Sequence, residues 1–336
     1  MYSLLLTIIY ISFISLGLPD SLLGSAWPVM RLGLGASIDF AGVISMIIAG
    51  STIISSLLSD RLTWKLGTGL VTAVSVATTA LALFGFSSST ALWQICLWAV
   101  PYGLGAGAVD AGLNNYVALH YSSRHMSWLH CFWGVGASIS PYIMGYFLSN
   151  GGNWAGGFRS ISLIQIVLTA VLFLTLPVWK VNAKNAQADE EKLPPLGLSR
   201  TLKIRGVFYI LIAFFCYCSA ETTAGLWATS FLVESRGIDP EVAAHFASLF
   251  YLGITGGRFL NGFITEKLGD RKMIRISVLI MLFGGTLIQD IPLQVPSSAV
   301  THRDPNRSKF LYHTIRTEDN SLLRSILGKS TTVNSW

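Results

Sequence analysis

Apolar residues run through this chain in stretches of about 18 to 25, the length at which a helix crosses a hydrocarbon core of roughly 30 Å. They do not alternate with period two, so they do not read as the strands of an outer-membrane barrel. Hydropathy places spans at 2–30, 38–58, 68–86, 91–118, 128–149, 158–179, 207–233, 241–264 and 274–289, which makes nine. The first run opens without a basic segment. Pro19, Asp20 and Trp27 stand where a signal peptide would carry a small-residue cleavage site, so it reads as a retained span.

Composition agrees with this pattern. Of 336 residues, 52% are hydrophobic and 12% charged, against roughly 25% charged in an ordinary soluble domain. The net charge of +6 does not point to nucleic acid, because the basic residues fall in loops between spans. Thirteen follow the even-numbered spans: Arg61, Lys65, Arg124, Lys180, Lys184, Lys192, Arg200, Lys203, Arg205, Lys267, Arg271, Lys272 and Arg275. Only Arg31, Arg159 and Arg236 follow spans one, three, five and seven. Basic loops stay in the cytoplasm, so the expected topology has a cytoplasmic N-terminus, in a multi-pass protein of the plasma membrane. The four cysteines, Cys96, Cys131, Cys216 and Cys218, lie in apolar segments without a CxxC spacing and read as small packing residues.

The chain also repeats itself. PDSLLG (19–24) aligns with AETTAG (220–225), setting Asp20 over Glu221 and Gly24 over Gly225; FAGVISMIIAG (40–50) aligns with FASLFYLGITG (246–256); Asp60-Arg61-Leu62 aligns with Glu266-Lys267-Leu268. Two copies in one orientation are the mark of a carrier built from parallel halves. The expected organisation is a six-helix half over 1–179, a cytoplasmic linker over 180–206, a partial second half of three helices over 207–289, and a polar tail over 290–336. The tail holds six basic residues and no span. It reads as disordered or as the product of a reading-frame shift.

This architecture resembles the major facilitator superfamily, whose members carry two six-helix halves around a central cavity. GRFLNGFITEKLGDRK (257–272) is similar to the superfamily's loop motif, and SDRLTWKLG (59–67) is a degenerate copy that lacks the glycine after Arg61. Within the superfamily, three short matches resemble the fucose permease-like sugar–proton symporters: PDSLL in the first span, Asp110 four residues before Asn114 in the fourth, and SAETTAG (219–225) in the seventh. The fold this implies is an all-α two-half helical bundle with its second half incomplete, truncated after about nine helices.

The embedded polar groups are the candidate chemistry. Acids inside spans are rare and usually face a protein interior or a wet cavity. Desolvation disfavours the charged form of a carboxylate, as a proton carrier requires, so Asp20 and Asp110 are candidate proton sites. Pro19 removes a backbone donor, leaving a carbonyl for a ligand or water. Asn114 lies one turn from Asp110 on the same face, and Glu221 matches Asp20 in the repeat. Both are candidates for binding a polyhydroxy solute, with His130, Trp27, Trp133 and Trp227 as possible cavity-lining groups. Each acid also has a structural alternative as a hydrogen bond between spans, the tryptophans as an interfacial belt or packing, and His130 as a core residue. By resemblance, Asp60, Arg61, Arg258, Glu266, Gly269, Asp270 and Arg271 form a gating loop motif, against a plainer reading as juxtamembrane charges.

The expected activity is secondary transport by alternating access, with proton-coupled uptake of a sugar-like solute. The rivals are drug or metabolite efflux and a non-functional remnant. No nucleophile–base pair, metal cluster or phosphate loop stands out, so neither an enzyme nor a cofactor is expected. The expected partners are a small polar solute, protons and the lipid bilayer, for a monomer.

Overall fold

The computed structural model describes residues 2–151, 153–179 and 198–290, and among them there is no β-strand. The helices are α1 (Tyr2–Asp20), α2 (Leu22–Gly33), α3 (Phe40–Leu66), α4 (Thr68–Ser88), α5 (Leu92–His120), α6 (Ser123–Ser149), α7 (Trp154–Leu174), α8 (Leu198–Leu202), α9 (Val207–Arg236), α10 (Pro240–Leu268) and α11 (Asp270–Asp290), with a helical stretch at 176–179. Among the described residues, six segments are long and apolar enough to cross a membrane: α1 with α2, then α3, α4, α5, α7 and α9. The helices α6, α10 and α11 have 27, 29 and 21 residues, so they are long enough but more polar. The protein is a multi-pass, all-α membrane protein. Residues 180–197 of the expected linker and 291–336 of the expected tail lie outside the described residues.

Small residues set the packing. On α3, Ser55 and Ser59 donate to the carbonyls of Leu104 and Ala108 on α5, and Thr52 and Ser56 donate to those of Gly103 and Gly107. A Cβ at Gly107 would collide with the carbonyl of Thr52. Backbones can approach this closely only where side chains are absent, which is how small-residue stripes pack membrane helices. The opposite face of α3 presents Met46, Ile53, Ile54 and Leu57 outward, an apolar surface suited to lipid. Buried clusters fill the first seven helices at both ends: Trp27, Leu83, Phe86 and Phe158 at one, and Phe13, Leu113, Leu129 and Leu172 at the other.

The first span is broken at Ser21, between α1 and α2. Pro19 has no N–H, so the carbonyl of Ser15, four residues earlier, loses its helical donor. That carbonyl is not left for a solute, which corrects the expectation from sequence. The Nε2–H of Gln165 on α7 donates to it, and Ser15 Oγ donates to Gln165 Oε1 at 2.5 Å. Gln165 is itself buried. An amide, which both donates and accepts, satisfies both groups.

Three helix pairs join the segments before residue 180 to those after it, α6–α10 and α2–α9 most extensively and α2–α10 beside them. The helices α6 and α10 run antiparallel and in contact over most of their length, with Gly145 against His245, Gly134 against Thr255 and Gly262 against Trp128. The helices α2 and α9 run parallel. They are tightest at Gly24, where a Cβ would lie 2.5 Å from the Gly225 carbonyl, and are pinned further along by an Arg31–Glu234 ion pair at 2.5 Å. The turn from α9 into α10 buries Leu232, Ile238 and Ala243 together.

Candidate functional site

Between residues 15 and 28 every residue is buried except Asp20. The break at Ser21 and the tight packing of α1 on α6 leave this one carboxylate facing an opening inside the bundle. Its oxygens are both engaged by neutral donors: Tyr102 Oη–H on α5 donates to Oδ1 at 2.9 Å, and Trp133 Nε1–H on α6 donates to Oδ2 at 2.7 Å. Asp110 and Glu221 lie within electrostatic reach of Asp20.

Arg258 approaches from α10. Its Nη2 donates to Glu221 Oε1 and Oε2 at 3.3 and 3.2 Å and to Tyr217 Oη at 3.1 Å, all on α9, while Nη1 reaches the His130 carbonyl at 3.5 Å. Its guanidinium stands 4.8 Å from the centroid of the Trp133 ring. The resemblance groups Arg258, within the expected span 241–264, with the gating loop motif, and in the structure its side chain pairs with Glu221. Ten residues of helix separate Arg258 from Leu268 at the end of α10, roughly 15 Å of rise, so the side chain reaches the membrane interior. The guanidinium therefore pairs with Glu221 and lies within electrostatic reach of Asp110, and Asp20 is linked to it through the Trp133 ring. A buried ion pair keeps its charges only when further hydrogen bonds complete it, and Tyr217 and the His130 carbonyl supply those for Arg258.

Asp110 is held by Asn114, whose Nδ2 donates to its Oδ1 at 2.9 Å, one turn apart on α5. Asn114 Oδ1 is buried and accepts no hydrogen bond among the described residues. An unpaired buried acceptor costs about 1–3 kcal/mol. It marks a place where a donor from a solute or a water would be welcome. Arg258 also lies within electrostatic reach of Asp110 and His130.

A cavity of about 570 Å³ is lined by Val117, Ala118, Tyr121, Arg124, Ser127 and Asn261, among others. Its walls lead into the charged cluster by one helical turn each: Ala118 to Asn114 on α5, Ser127 to His130 and Cys131 on α6, and Asn261 to Arg258 on α10. On the opposite side of the cluster, Gly24 meets Gly225 and Arg31 meets Glu234.

Other expected residues stand apart. Trp27 has no exposed surface and donates from Nε1 to the Ile38 carbonyl at 2.7 Å, so it packs in the core and presents no ring to a solute. Trp227 packs against the same core, close to Gly42. His130 sits edge-on to Phe13, ring centroids 5.6 Å apart. Asp60, Arg61 and Arg271 are exposed and make no ion pair among the described residues. Gly269 ends α10 at φ 74°, a left-handed conformation that favours glycine. The side chains of Glu266 and Asp270 lie outside the described residues. Tyr102, Tyr217 and Tyr251 were not anticipated. Tyr251 packs edge-on to Trp133, with ring centroids 6.2 Å apart.

Comparison with known proteins extends this picture. The chain is 25% identical over 290 residues to Bypass of stop codon protein 6 of Saccharomyces cerevisiae, covering 78% of this chain and 57% of that protein. It is 23% identical over 236 residues to the glucose/mannose transporter GlcP of Bacillus subtilis, covering 67% of this chain and 57% of that one. The chain thus spans a little over half the length of these curated relatives. The profile of Peptidase C26 matches residues 276–336, a stretch too short to set the family and mostly outside the described residues. The profile of the Major Facilitator Superfamily matches residues 9–298, which takes in every helix that contributes to the charged cluster. The chain belongs to the Major Facilitator Superfamily.

Proposed function

We propose that this protein is a secondary transporter that takes up a sugar or similar polar solute together with protons by alternating access. The observation that carries the reading is the charged cluster at the meeting of α1, α5, α6, α9 and α10, where Asp20 lies within electrostatic reach of Asp110 and Glu221, and Arg258 pairs with Glu221. A carboxylate away from bulk water keeps its charge only while donors or cations solvate it. Asp20 and Asp110 are held by neutral donors and neither forms an ion pair among the described residues, so each can gain or lose a proton without stranding a paired cation. The unpaired acceptor Asn114 Oδ1 suits a hydroxyl donor on the solute. Glu221, next to Thr222 and Thr223, is placed to orient the solute when the halves rearrange, and His130 and Trp133 border the same space. The glucose/mannose transporter among the relatives supports a sugar-like solute.

In this reading residues 1–179 and 207–289 are two units that rock about the cluster, joined by a linker over 180–206. The N-terminus and the basic loops are cytoplasmic, in the plasma membrane. The structure then corresponds to a state closed outside at Gly24–Gly225 and Arg31–Glu234 and open inside through the cavity below Asn114. Asp60, Arg61 and Arg271 are exposed and make no ion pair among the described residues, which suits a gate in its open position.

The test is uptake by the full chain in proteoliposomes under an imposed pH gradient, with a panel of labelled hexoses. Accumulation that follows the gradient and disappears in Asp20→Asn and Asp110→Asn is the expected result. Accumulation unchanged in both variants would refute the proton assignment. No uptake and no solute binding by the purified chain would favour a protein that does not transport.

A further inference from the structure

Trp133 is the side chain that touches both the proton site of one unit and the cation of the other. Its indole edge donates to Asp20 Oδ2 at 2.7 Å, and its face carries the guanidinium of Arg258 at 4.8 Å. The indole is a rigid plane with two side-chain torsions, so it cannot turn at one contact and stay fixed at the other. Both contacts depend on charge. An N–H bond to an ionised carboxylate is roughly twice as strong as one to a neutral acceptor, and tryptophan is the best aromatic seat for a guanidinium. Arg258 in turn holds Glu221 and Tyr217 on α9 and the backbone of α6 at His130.

We propose that Trp133 is the positioning residue that couples the proton on Asp20 to the α6–α10 contact between the two units. With Asp20 ionised, the ring is held by its N–H and Arg258 is seated on its face. When Asp20 takes a proton, the charge-assisted bond to Trp133 is lost and the ring is freed. Arg258 then loses its seat, and the α6–α10 contact is released for the units to move. The proton binds at a carboxylate oxygen and no covalent bond is made or broken elsewhere. The other groups facing Asp20 are Tyr102 and Asp110 from α5, Glu221 from α9 and Tyr251 from α10, and Arg258 also faces Asp110 and His130. This inference rests on the proton assignment to Asp20 made above.

The test uses the full chain in detergent and reads tryptophan emission from pH 4 to 9, so it needs no transport. The expected result is an emission transition in the parent that is lost in Trp133→Phe, which keeps a ring under Arg258 but has no N–H. The transition is also lost in Asp20→Asn and survives in Tyr102→Phe, which removes the other donor and leaves the indole in place. A transition that persists in Asp20→Asn, or is absent from the parent, refutes the proton assignment and the coupling with it. One lost in Asp20→Asn but kept in Trp133→Phe refutes the coupling alone. If Trp133→Phe does not fold, Arg258→Lys with the indole intact replaces it. It must then shift the midpoint of the transition, and an unchanged midpoint overturns the proposal.

Discussion

Ser21 donates its Oγ–H to the carbonyl of Ala137 at 2.8 Å, and Ala137 is the residue that Pro141 deprives of its helical donor. The pattern is the one met at Pro19, where Gln165 serves the carbonyl of Ser15. In each case a proline bends a helix inside the membrane, and a polar side chain from a neighbouring helix replaces the missing N–H. This repair lets prolines occur within spans at all.

A double-mutant cycle tests the repair. Ser21→Ala leaves the Ala137 carbonyl buried and unpaired, at about 1–3 kcal/mol. In a Pro141→Ala background the backbone supplies the donor again, and the same substitution should cost less than about half as much. Thermal unfolding in detergent reads both. Equal costs in the two backgrounds would separate Ser21 from the proline.

Removing either member of the Arg258–Glu221 pair strands a charge in the membrane interior. Arg258→Ala or Glu221→Ala alone should lower stability by about 3–5 kcal/mol, whereas replacing both with residues of similar size, Arg258→Met with Glu221→Gln, should cost far less. Unfolding midpoints of the three variants decide it. Additive losses would mean that the pair carries no coupling.

Gly24→Val places atoms in the carbonyl of Gly225 and should hold α2 and α9 apart. Cysteines at Arg31 and Glu234, whose side chains now meet at 2.5 Å, report that approach. A short bismaleimide should join them in an otherwise unaltered chain and join them several-fold more slowly with Gly24→Val. Equal rates would show that the contact at Gly24 does not govern closure.

Asn114→Leu removes the unpaired acceptor and the donor that holds Asp110. Half-saturation for the solute should rise by about tenfold or more, one hydrogen bond's worth of free energy. Solute-induced thermal stabilisation gives a measure independent of transport. An unchanged solute response would exclude Asn114 from the site.

Several of these features were readable before any coordinates. Asp20, Asp110 and Glu221 stand out because ionisable side chains are scarce in apolar runs, and Asn114 follows Asp110 by one turn. Arg258 falls inside the expected span 241–264, but its pairing with Glu221 was not readable, because only folding brings α9 against α10 at that level. Trp27 and Trp133 are alike by composition, and what separates them is which face of its helix each occupies, a matter of crossing angles that span prediction does not supply. The tyrosines were hidden because phenols are common in spans. Tyr102 and Tyr251 matter only through the partners that folding brings to them.

Gly24 and Gly225 occupy matching places in the two copies of the repeat, and here they touch. A side chain arriving at Gly24 would press on the carbonyl of Gly225, and one arriving at Gly225 would press on the hydroxyl of Tyr251. Tolerance to mutation should therefore be low at both, although neither glycine bears any charge, binds any solute or moves any proton.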